Sequence, residues 1–128
     1  MQLLHRTLNL AYTHTLQDLL AQLRTCFEYA PGLTGSNLDA CIDILSSLRI
    51  PQDGMTRFHL AKNEAVMLTI RRLYETTHEV KNSLLTIITE VNNRSCEMGD
   101  TPLIYLLLQD LDSPHSTENN CPSQVPAT

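Results

Sequence analysis

The stretch from Asn63 to Val91 constrains this chain most. Val66, Met67, Ile70 and Leu73 recur at three- and four-residue steps, and so do Val80, Leu84, Ile87, Ile88 and Val91. Each set occupies one face of a helix with 3.6 residues per turn. Between them, Thr76 and Glu79 have the spacing of a capping box. There a hydroxyl accepts from an orphan amide at a helix start, and a carboxylate reaches back to another. The expectation is a helical hairpin. One helix ends near Tyr74 with Arg71 and Arg72 in its last turn, and the next begins near Thr77.

The flanking segments read the same way. From residue 3 to 29, Leu4, Leu8, Tyr12, Leu16, Leu20, Leu23 and Phe27 form a ladder at steps of four and three, predicting one long amphipathic helix. Pro31-Gly32 ends it. Ser36 is a candidate N-cap for a second helix, Asn37 to about Leu48, that buries Leu38, Cys41, Ile42, Leu45 and Leu48. Pro51 and Gly54 force a break, and a short helix is expected from Met55 to Leu60. Gly99-Asp100-Thr101-Pro102 is a helix-start signal, since proline tolerates the first helical position. The segment Pro102 to Leu111 is apolar almost all round, so it either docks between other helices or is an interaction helix. From Asp112 the chain is polar and rich in Ser, Pro, Asn and Thr, a composition that cannot offset its ordering entropy by burial.

The predicted fold class is therefore all-α: a compact bundle of four to six helices with a long N-terminal helix. It spans residues 1–111, with a disordered tail at 112–128. Two phenylalanines, four glycines and no tryptophan supply little material for an all-β alternative.

Charge and motif content narrow the function. The formal charge of −5, from 9 basic and 14 acidic side chains, argues against direct nucleic-acid binding, which needs a basic surface to neutralise phosphates. No cysteine pair has C-x-x-C spacing, and no two histidines flank a glutamate at i, i+4, so no metal is expected. Glycine-rich phosphate loops and G-x-S-x-G turns are also missing from the sequence, which leaves no catalytic or cofactor site to name. The N-terminus lacks a secretory apolar core, and no apolar run approaches the ~20 residues that span a bilayer. The expected setting is intracellular, nuclear or cytoplasmic, with free thiols.

Three parts, LTGSNLDACIDILSSL, PQDGMTRFHLAKNEAVMLTIRRLYE and THEVKNSLLTIITEVNN, carry a family likeness. They resemble the integrase-binding domain of the lens-epithelium-derived growth factor family and, more loosely, the TFIIS N-terminal domain superfamily. The anchor points are Leu38, Cys41, Ile42, Leu45, Leu48, Ile70, Arg71, Arg72 and Val80. The resemblance implies a helical bundle that captures short acidic and Phe-containing motifs of nuclear proteins at a notch between two loops. Matched residue by residue, Leu33 takes the place of the family's apolar loop residue and Leu73 that of an aromatic one. Arg71 and Arg72 match directly. Thr34 stands where the family has an aspartate, and Glu75 falls near an apolar position. The implied partner-binding residues are Leu33, Thr34, Arg71, Arg72, Leu73 and Glu75. The alternative reading is a subunit of an obligate assembly, for example a viral one, with the N-terminal helix and residues 102–111 as its interface. Whether the chain is a monomer or a homo-oligomer is left open by the sequence.

Overall fold

The computed structural model describes residues 1–109 and contains a parallel sheet. The order is β1 (Gln2–Asn9), α1 (Leu16–Cys26), α2 (Leu38–Leu45), β2 (Glu64–Arg71), α3 (His78–Glu97) and β3 (Ile104–Gln109). Single 3-10 turns lie at Pro51–Asp53 and Leu73–Glu75. Strand order in the sheet is β1-β2-β3, and both pairings are parallel. Each parallel pair is thus joined by a helical crossover, the βαβ unit. Both crossovers step in the same direction. With the usual right-handed connection, their helices fall on one face of the sheet.

The burial pattern agrees. Leu4, Val66 and Ile104 lie in one row across the sheet, and Leu8, Ile70 and Leu108 in another. Leu8, Val66, Leu68, Ile70 and Ile104 on this face join Leu19, Leu20 and Leu23 of α1, Cys41 and Leu45 of α2, and Val80, Leu84, Ile87 and Val91 of α3 in one core. The opposite face carries His5, Thr7, Asn9, Met67, Thr69, Tyr105 and Leu107, all exposed or half-buried.

The all-α bundle of four to six helices, which the family resemblance also implies, is therefore not the fold. The chain is mixed α/β, and the expected long N-terminal helix is a strand followed by a separate helix. The physical reason lies in three short apolar runs that fit two periods. Leu4, Leu8 and Leu10 alternate as well as they step by four, and Val66, Leu68 and Ile70 alternate where Val66, Met67, Ile70 and Leu73 step by three and four. The run at 104–109 is apolar throughout, which periodicity cannot assign. Parallel strands bury near-continuous apolar runs, so length and β-branching decide such cases. The helix expected at 55–60 is also not formed. Thr56 makes an antiparallel bridge with Tyr29 instead.

The expected helix ends fare better. Thr77, not Thr76, caps α3, its hydroxyl accepting from the Val80 amide. Asn37, not Ser36, caps α2 by accepting from the Ala40 amide. A full capping box, Thr15 with Asp18, starts α1. Its amide donors hold the Asp18 carboxyl below the usual carboxylate range. The expected helical hairpin is not formed: its first arm is strand β2, which a left-handed Arg72 (φ 61°) ends before Tyr74 as it opens the 3-10 turn. The tail from Asp112 and the last two residues of the 102–111 segment lie outside the described residues.

Candidate functional site

Two regions of this fold invite a functional reading, and they lie on different elements. The first is the connection 27–37 between α1 and α2, longer than the roughly 4–6 residues typical of such links. It is irregular but pinned along its length. Tyr29 N–H donates to Arg24, Ala30 N–H to Met55, Leu33 N–H to Ala30, and Gln17 Nε2 to Ser36 O at 3.1 Å. Beneath it, the buried Tyr29 hydroxyl meets Cys41 Sγ at 3.5 Å. Burial and the neighbouring Cys41 push the Tyr29 phenol well above its ordinary value, and burial likewise raises the Cys41 thiol. Neither group ionises at neutral pH, so this pair is a structural strut. Gly35 is required here: its φ is +56°, and a Cβ would lie 2.6 Å from the Tyr29 ring.

The pinned loop and α2 border a hollow of about 310 Å³ lined by Leu33, Thr34, Ser36, Asp43, Ile44 and Met55, among others. Asp39 and Asp43 are both exposed on α2, one turn apart, and α2 carries no basic residue. Asp43 pairs with Arg94 Nη1 at 2.7 Å, with both side chains about half exposed. A second hollow of about 280 Å³ continues past Asp43 to Asp53 and Asp100. Arg49 and Arg94 also border it; Arg94 pairs with Asp43, and the Arg49 guanidinium is committed to main-chain carbonyls of Glu64, Thr101 and Pro102, where it ties the start of β2 to the start of β3. Asp39, Asp53 and Asp100 leave the exposed side chains here with a modest acidic excess.

The second region is the β3 side of the sheet. Leu73, Lys81, Leu84, Leu85, Leu106 and Leu108 line an apolar groove of about 300 Å³ between α3 and β3. Leu85, Leu107 and Leu108 are 54%, 49% and 57% exposed, and Tyr105 37%.

The residues implied by the family resemblance distribute over these regions. Leu33 and Thr34 line the hollow beside α2, whereas Leu73 lines the groove beside β3. Arg72 and Glu75 come together as an ion pair on the turn after β2. Arg71 is the last residue of β2, on the sheet face away from the helices and next in register to Asn9 and Gln109. The hollow and the groove share no lining residue. Asp39 and Asp43 go unremarked as a pair in the helical reading of the sequence, although it places both on a helix, and the β3 edge is missed because the same reading makes that segment a helix. The i, i+4 spacing of the two aspartates was the available signal for the first.

Among the described residues, the strand order β1-β2-β3 has no reversal of the kind that makes a ligand crevice at the carboxyl end of open α/β sheets. Among the described residues, no group of three His, Cys, Asp or Glu side chains gathers to hold a metal. No helix among them is long and apolar enough to cross a membrane. The Cys26 thiol is pushed up to about 11, chiefly by burial, so at neutral pH it is not a nucleophile. No protein-family model matches the chain, and neither does any curated protein or solved structure.

Proposed function

We propose that this chain is a non-enzymatic, intracellular protein-binding module. Its site is the pinned 27–37 connection together with the acidic side of α2, and its partner presents lysine and arginine. The observation that carries this reading is the fixing of an irregular loop by main-chain bonds at its start, by the Gln17 side chain at Ser36 and by Gly35 seated against Tyr29. Loops positioned by a rigid scaffold are where proteins place binding residues. A loop ordered in advance loses less conformational freedom when it binds.

Charge selects the partner. Asp39, Asp43 and Asp53 are exposed on this side, and the loop from Ala30 to Asn37 has no charged residue of its own. The Asp43–Arg94 pair, exposed on both sides, holds Asp43 only weakly and leaves it able to exchange for a partner's guanidinium. Apolar contact would come from Leu33 and Ile44 in the hollow, with the carboxylates steering association. The same surface is poorly suited to an acidic motif.

Affinity capture on the immobilised chain tests this. The retained proteins are expected to be basic and to elute with rising salt, and Asp39→Lys/Asp43→Lys should lose them while circular dichroism stays unchanged. Capture that survives this charge reversal overturns the reading. If the retained partners are acidic and Arg71→Glu/Arg72→Glu is the variant that loses them, the acidic-motif reading takes its place.

A further inference from the structure

The β3 edge has a geometry that chooses its own partner. The Val66 amide donates to Leu103 O, so in the parallel ladder the odd-numbered residues of β3 turn their backbone groups toward β2. The even-numbered residues Ile104, Leu106 and Leu108 turn theirs outward. At Ile104 this outward position is occupied. Asn92 Oδ1 accepts from the Leu103 and Ile104 amides at 2.9 and 3.0 Å, and Asn92 Nδ2 donates to Ile104 O at 2.8 Å. Leu106 and Leu108 have no such cover among the described residues. Their amides and carbonyls form a free edge two positions long.

We propose that β3 pairs antiparallel with β3 of a second copy of this chain, about a two-fold axis at Leu107, joining two three-stranded sheets into one of six. In an antiparallel pair, the residues that exchange both hydrogen bonds stand directly opposite one another. The register that sets Leu106 against Leu108 of the second copy, and Leu108 against Leu106, satisfies all four free groups on each side. It needs neither Ile104, which Asn92 closes, nor any residue past Gln109. Slipping by two either wastes a bond on the closed position or places one free residue beyond the described strand. A one-residue slip would set opposite faces together. An antiparallel edge on an otherwise parallel sheet is common.

The side chains fit the same arrangement. A two-fold axis perpendicular to the sheet keeps like faces together, so Leu106 and Leu108 of both copies meet on the helix side, where the two grooves abut. Leu107 meets itself on the open side. Residues 104–109 carry no charge, so the paired strands themselves set no like charges opposite one another, and among the described residues Lys81 is the one charged side chain on the groove wall beside the seam. Charges, proline or bulges normally guard an exposed strand edge, and β3 has none of them. Three half-exposed leucines and a third of a tyrosine offer on the order of 300–400 Å² per copy, against the ~800 Å² per partner of a standard interface. The paired backbone and the groove walls add to this, and an interface of this size belongs with weak, concentration-dependent association. The proposal uses a different surface from the acidic site and stands independently of it.

Sedimentation of the full chain from about 1 to about 200 µM covers weak association of this kind. A dimer that grows with concentration is expected. Leu107→Lys puts two ammonium groups opposite each other and should weaken it by at least about tenfold without changing the circular dichroism. The register is tested by oxidation in a Cys96→Ser/Cys121→Ser background. Leu107→Cys, which faces itself, should cross-link at least about tenfold faster than Tyr105→Cys, which faces Gln109. Equal rates overturn the register. A chain that stays monomeric at the highest concentration overturns the proposal. In that case, slow hydrogen exchange at the Leu106 and Leu108 amides would mean the chain's own tail covers the edge, and fast exchange that the edge stays bare in the isolated chain.

Discussion

The two edges of the sheet are built differently. On β1 the outward backbone groups belong to the odd-numbered residues, since Gln2 and Leu10 donate inward to Asn63 and Arg71. Cys26 Sγ donates to the outward carbonyl of Thr7 at 3.7 Å, and beside it Arg6 pairs with Glu28 and stacks on Phe58, 4.1 Å from the ring centroid. The C-terminal end of α1 and the loop after it therefore lie along this edge, and the exposed side chains near it are His5, Thr7 and Asn9. On β3, among the described residues, Asn92 closes the first position and nothing covers the rest, which turns leucine to both faces. An edge lined with charge and covered by its own chain resists pairing, and a bare apolar one invites it. The difference shows that this sheet is finished on one side and open on the other.

The largest expected effect comes from opening the one guarded position of β3. Asn92→Ala removes three hydrogen bonds to the start of the strand and leaves the buried Ile104 amide and carbonyl without partners. Urea unfolding should show a loss of about 2–4 kcal/mol. The freed Ile104 would also admit a second pairing register, so the cross-linking preference for position 107 should fall. A loss below about 0.5 kcal/mol would mean that water replaces Asn92 and that the closure is incidental.

Next is a pH dependence to which the β1 edge contributes through Cys26. Cys26 has an ordinary thiol value near 9.0 when the chain is unfolded and about 11 when folded, because burial disfavours the thiolate. Below pH 9 both states keep the proton and nothing is lost. Between pH 9 and 11 the unfolded chain gives up its proton first, so stability falls as pH rises, by roughly 2 kcal/mol at the top of that window. Tyr29, also raised by burial, adds to the fall at the alkaline end. Comparing unfolding of the native chain and Cys26→Ala across this range isolates the thiol. An unchanged slope would place Cys26 outside the cover of the edge.

This asymmetry is also where the sequence was least legible. Two helix starts could be read, because capping is local chemistry. Thr76 and Ser36 lie one residue from the true caps of α3 and α2, whereas the Thr15 cap of α1 was hidden inside a longer expected helix and the signal at 99–102 leads into β3. The strands could not be read by period. Leu4 and Leu8 are four apart on a helix and also share a face of a strand, and only a partner strand decides between them. The β-branched run Val66, Thr69 and Ile70 and the sequence of apolar runs alternating with amphipathic ones were the available signals for a βαβαβ order. Of the candidate site, Leu33 and Thr34 lie where a surface loop meets a hollow. The placement of Leu73 beside β3 depended on a long-range parallel pairing that no local pattern encodes.

A smaller effect separates charge from packing on β1. The Arg6–Glu28 pair is 30% and 42% exposed, so Glu28→Gln should cost about 0.5 kcal/mol or less by denaturant titration. Arg6→Ala also loses the stack on Phe58 and the burial of its stem among the core-facing residues of β1, and should cost about 1–2 kcal/mol. Equal losses would show that the ion pair, not the packing, holds the loop to the edge. The smallest effect on folding is at the other edge. Leu107 is half exposed on the face away from the helices, so Leu107→Lys should leave the monomer within about 0.5 kcal/mol of the parent at submicromolar concentration. The same substitution acts strongly on association, and that contrast is the sharpest test of the two-edge picture. A residue needed for folding would show its effect at every concentration. One reserved for a second copy shows it only where two copies meet.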